Sequence, residues 1–195
     1  MIYSHAGKLR DYNITKKEWV LDGASVTYGI AIELKETLEY DLSLEQQFNY
    51  KGLNTNDIIQ HLASFITRLW QIHVFGEGNT RTTAVFGIKY MRSLGFDVTN
   101  DIFEENAWYF RNALVRANYT NLQAGIYETT EYLEIFLRNL LLNDHNELKS
   151  RNLHIHSLQK VDIDSQKVDI QKEKVDIDSQ KVDIEYILKQ SIEPF

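Results

Sequence analysis

The chain has 195 residues, 43% of them apolar and 12% aromatic, enough for one sizeable core and at most a small appendage. A formal net charge of −7, with no basic stripe, argues against nucleic acid or an anionic membrane surface as a partner. Cysteine is absent, which excludes disulfides, thiolate catalysis and thiolate metal sites.

No apolar run approaches the ~20 residues needed to span a bilayer. The first ten residues lack the apolar stretch of a signal peptide, so a soluble, cytoplasmic protein is expected. In chain order, the first feature is Asp22-Gly23, a pair that readily takes the positive φ angles of a tight turn, flanked by Trp19-Val20-Leu21 and Ala24-Ser25-Val26-Thr27-Tyr28. This reads as a β-hairpin. Its neighbours are helical, so it is either a surface decoration or an open edge that can accept a strand.

Helices follow. Apolar residues from Ile30 to Phe48 keep a tolerable helical period, broken by Gly52. Thr55 or Asn56 is placed to cap a helix whose Ile58, Ile59, Leu62, Ile66, Leu69 and Trp70 make one broad apolar face. Thr80 to Leu94 continues helically until Gly95. Asp101 to Ala117 reads as one further helix, and Thr129 or Thr130 caps another running through Leu141. The expected class is mainly α, with a domain over residues 1–155.

From about Ser157 the composition changes. Lys-Val-Asp-Ile recurs with a seven-residue period from Lys160, Lys167, Lys174 and Lys181. Valine and isoleucine two and five apart do not make the three-and-four seam of a coiled coil. Residues 156–195 are therefore read as a low-complexity repeat tail, with an interaction module as the alternative.

Between two of the helices lies His73-Val-Phe-Gly-Glu77-Gly78-Asn79-Thr80-Arg81-Thr-Thr-Ala84. A loop feeding a helix N-terminus offers unpaired N–H groups and a positive dipole end to phosphate. Histidine can remove a proton from a hydroxyl near neutral pH. Glu77 could hold Mg²⁺ against a polyphosphate. Gly78 lets backbone approach an anion, Asn79 adds an amide donor, and Arg81 offers a fork that matches phosphate oxygens. Phe75 is apolar among polar neighbours and reads as the anchor of the loop. His61, His145, His154 and His156 show no metal-ligand spacing.

The run His73-x-Phe75-x-Glu77-Gly78-Asn79-x-Arg81 resembles the signature of the Fic/Fido (Fic–Doc) family, His-x-Phe-x-Asp/Glu-Gly-Asn-Gly-Arg-x-x-Arg. The likeness extends over roughly residues 10–155, including Tyr109-Phe-Arg111-Asn-Ala-Leu-Val-Arg116-Ala-Asn118-Tyr119. The resemblance implies a helical bundle with a hairpin flap, here residues Val20, Leu21, Asp22, Gly23, Ala24, Ser25 and Val26, which registers a target segment. It implies a protein adenylyltransferase that moves AMP from ATP to a Ser, Thr or Tyr hydroxyl. In that reading His73 is the general base, Glu77 binds Mg²⁺, and Gly78, Asn79, Thr80 and Arg81 hold the nucleotide.

Two positions depart from the signature. Thr80 stands for a glycine, and Ala84 for an arginine that grips the γ-phosphate in adenylylating members. The Doc branch also lacks that arginine and transfers the γ-phosphate, so phosphotransfer or another nucleotidyl donor is the alternative. A catalytically impaired interaction protein is a further one. No self-inhibitory Ser/Thr-x-x-x-Glu-Gly/Asn motif stands outside the loop, so regulation is expected from a partner chain, homo-oligomerisation or the tail.

Overall fold

The core is built around the helix α2, Thr55–Ile72, in a computed structural model that describes residues 7–156. Ile59, Leu62, Ala63, Phe65, Ile66 and Trp70 recur on this helix with helical period and are all buried. Asn54 caps it by accepting the Asp57 N–H at 3.0 Å, one residue ahead of the sequence expectation. Helices α1 (Leu34–Gln47), α3 (Asn79–Ser93) and α6 (Glu131–Leu142) pack on α2. A short α4 (Asp101–Glu105) leads into α5 (Ala107–Arg116), which packs on α6. The protein is mainly helical, as its sequence indicates. The repeat tail lies outside the described residues.

Two elements differ from the sequence reading. The stretch 101–117 is not one helix, because it breaks at Asn106. That residue leaves the helical region at φ −120° and ψ 28°, while its N–H and its side-chain amide both donate to the Ile102 carbonyl, at 3.0 and 3.1 Å. The break leaves Phe103 and Phe110 in contact with each other and with Phe136 at the centre of the α4–α5–α6 packing.

The second difference concerns the hairpin. Among the described residues no strand forms, and the one β pairing is an isolated antiparallel bridge between Asn121 and Ile126. Trp19–Leu21 instead forms a single 3₁₀ turn. The turn at Asp22-Gly23 exists, with both residues at positive φ, and Glu18 closes it by donating to Ala24 O at 2.9 Å. The physical reason is burial. Val20 and Leu21 are consecutive and both sit in the core, whereas a strand would send one of each adjacent pair outward.

Candidate active site

The C-terminus of α2 is pinned with unusual care. His73, the residue after its last turn, has φ 54° and ψ 55°, a left-handed conformation that a histidine adopts only when its surroundings impose it. Its N–H donates to Trp70 O at 3.1 Å, and its carbonyl accepts from Arg10 Nε at 2.8 Å. The buried Arg10 guanidinium also donates to Tyr12 O at 2.6 Å, to Gly29 O and to Ile72 O. These partners are all carbonyls, two of them at the negative end of the α2 dipole, where a cation is favoured.

The His73 ring is 1% exposed and lies between Tyr28, at 4.3 Å between centroids, and Trp70, at 5.3 Å. Its Nδ1 lies 3.3 Å from the Trp70 carbonyl, an oxygen that can only accept. That contact fixes the tautomer with the proton on Nδ1 and leaves the lone pair on Nε2, which has no partner. Burial, followed by the nearby charge of Lys16 and then those of Arg10 and Arg111, lowers the His73 pKa to about 3 against the opposing bond to Trp70. The imidazole is therefore neutral at physiological pH.

A pH dependence follows. Between about pH 6.5 and 3 the unfolded chain accepts a proton that native His73 refuses, so stability falls as pH drops through that window. The contribution is at most about 1.4 kcal/mol per pH unit. His73→Asn, which tolerates the left-handed backbone, should flatten the slope by that amount in urea titrations run from pH 6 to pH 4.

The loop after His73 is shaped by Asn79. Its Nδ2 donates to Phe75 O at 2.7 Å while its Oδ1 accepts the Phe75 N–H at 2.9 Å, and the residue is buried. The amide is thus committed to closing the loop rather than open to a ligand. Gly78 follows the turn with φ 81° and precedes α3, which begins with no side-chain cap. Its first N–H groups, those of Asn79, Thr80 and Arg81, therefore receive no side-chain cap from Gly78. Glu77 and Arg81 flank them and are exposed.

Thr80, at the position where the signature has glycine, accepts the Trp70 indole N–H at 3.0 Å. Its hydroxyl satisfies a fully buried tryptophan, so this side chain serves the scaffold. Ala84 packs against the core.

Of the residues expected to dock a target, Val20, Leu21 and Val26 are buried in the core. Asp22 and Gly23 are exposed, and Ala24 and Ser25 are half-buried. Ser25 Oγ donates to Val26 O at 2.9 Å and accepts the Lys16 N–H at 3.3 Å.

Several residues join the site that sequence patterns did not single out. Glu18, 2% exposed, accepts from the Tyr28 hydroxyl at 3.0 Å and from Arg111 at 2.5 Å. Lys16 interacts electrostatically with Arg111, Glu18, Glu77 and Arg10. In a chain of net negative charge, Arg10, Lys16 and Arg111 thus gather close to His73, a local sign suited to a phosphorylated substrate. Among the described residues no cluster of three or more His, Asp or Glu could hold a metal ion, and Glu77 stands as a single carboxylate.

Residues 1–91 match the family model described as Fic/DOC family. No curated protein matches the chain. Among solved structures, the chain is similar to the BepC protein, a VirB-translocated Bartonella effector protein from Bartonella tribocorum, crystallised with bound AMPPNP. The two are 19% identical, with a TM-score of 0.52, over 71% of this chain and 66% of that one. The chain therefore spans just under two thirds of that protein, and at this identity the likeness speaks for a shared fold. The residues that match the Fic/DOC family model take in the whole loop from His73 to Arg81.

Proposed function

We propose that the protein transfers a nucleotidyl group, AMP from ATP, to a hydroxyl of a target protein. The observation that carries this reading is the uncapped start of α3 beside a neutral, oriented histidine. Helix N–H groups and Arg81 hold the phosphates and offset the charge that develops on them in the transition state. His73 Nε2 takes the proton from the attacking hydroxyl. The hydroxyl oxygen bonds to the α-phosphorus, and pyrophosphate leaves. Gly78 and Asn79 act by shaping the cradle.

The exposed Glu77 carboxylate fits Mg²⁺, a hard cation usually held by one or two carboxylates plus substrate phosphate oxygens. When bound, that ion neutralises phosphate charge. The residues expected in the flap contribute through the backbone of Asp22 to Ser25 rather than through the buried Val20, Leu21 and Val26.

One observation favours a second reading. Ala84 places no cation in the first turns of α3, so nothing at that position selects the γ-phosphate as part of the leaving group. Transfer of the γ-phosphoryl group is the alternative outcome. Incubation with a cell lysate, Mg²⁺ and ATP labelled at either the α- or the γ-phosphorus separates them. Label from the α position alone supports AMP transfer. Label from γ alone overturns it in favour of a kinase, and label from neither favours an interaction protein.

A further inference from the structure

The base required by that reading is sealed. A general base must come within hydrogen-bond reach of the proton it removes, directly or through one water. His73 Nε2 is buried and unshared, so no target hydroxyl can meet it in this conformation. One of the two rings against it, Trp70, is fixed by α2 and by its bond to Thr80. The other, Tyr28, lies on irregular chain, is 7% exposed, and is held at its hydroxyl end by a single acceptor, Glu18. Glu18 is held in turn by Arg111 from α5, 93 residues away in sequence. Directly upstream, Ala24 and Ser25 form the half-buried side of the turn.

We propose that Tyr28 is a gate over His73, latched through Glu18 by Arg111, and that it swings aside when a target segment settles against residues 22–25. The gate makes access to the base conditional on the correct target, since ATP alone makes no demand on that turn. A latch of one hydrogen bond to a buried carboxylate is strong enough to keep the closed form dominant and weak enough to release on binding. The consequence for catalysis rests on reading His73 as the base, but the gate itself is a matter of accessibility and is tested without activity.

Diethyl pyrocarbonate modifies neutral, accessible imidazoles, and mass spectrometry of the full chain after digestion reports each histidine separately. At pH 7 His73 is neutral, so its reactivity reads exposure alone. In the wild-type protein His73 should react about ten- to a thousandfold more slowly than the exposed His145, as for a minor open state populated at about 0.1–10%. Tyr28→Phe keeps the ring but removes its bond to Glu18, and Arg111→Gln removes the charge that holds Glu18. Each should speed modification of His73 by at least about fivefold, the loss of one charge-assisted bond.

His61, bonded to Glu45 at 2.8 Å and covered by Phe48, reports whether the fold is intact and should not change. Should Arg111→Gln expose His61 as well, the milder Tyr28→Phe decides. Wild-type His73 reacting as fast as His145, or unchanged protection in a folded Tyr28→Phe, overturns the gate.

Discussion

Replacing His73 with alanine should lower label transfer from ATP by about 10²–10⁴-fold, the usual contribution of a positioned general base. The substitution removes an imidazole whose Nδ1 is oriented by the Trp70 carbonyl and whose Nε2 has no partner, one short loop ahead of α3. Nucleotide binding should change little, because the proposed cradle draws on α3 backbone and Arg81 rather than on the imidazole. A loss confined to the rate at saturating ATP, with unaltered affinity, is the expected signature. Weakened ATP affinity with an unchanged rate would instead make His73 a binding residue. Retention of full transfer would remove it from the chemistry.

Arg10→Ala should be the more damaging change for the fold. Arg10 is 5% exposed and donates to four carbonyls, including those of Ile72 and His73 at the end of α2. Hydrogen bonds from charged groups contribute about 1.5–3 kcal/mol each, offset by the desolvation of the guanidinium. A net loss of about 3 kcal/mol is expected, lowering the melting temperature by roughly 6–12 °C in a domain of this size. Calorimetry measures it. Because Arg10 also holds the left-handed His73 backbone, activity should fall by more than the unfolded fraction explains. A melting temperature unchanged within about 2 °C would show that the staple contributes little.

The parts of the molecule legible in the sequence are those written in short range. The apolar period of Ile59, Leu62, Ile66 and Trp70 defines α2, and the spacing from His73 to Arg81 defines the loop. What the sequence does not reveal is polar contact across long separations. Arg10 reaches His73 over 63 positions and Arg111 reaches Glu18 over 93, with no local pattern to announce either.

The expected hairpin fails for a related reason. Asp22-Gly23 makes its turn, but the alternation test was never met by Val20-Leu21, two apolar neighbours that both enter the core. Asn106 shows the same limit in a helix, where a single residue at φ −120° and ψ 28° divides a stretch of favourable period. At the site itself, residue type suggests that Asn79 and Thr80 face the ligand. Tertiary contacts show what residue type does not, that the Asn79 amide bonds Phe75 and the Thr80 hydroxyl accepts from Trp70.

A crystal soaked with a non-hydrolysable ATP analogue and Mg²⁺ tests the proposed phosphate cradle at the head of α3. Phosphate density is expected against the N–H groups of residues 79–81, with the α-phosphorus on the side facing His73. Nucleotide density elsewhere on the chain, with that helix end untouched, would contradict it.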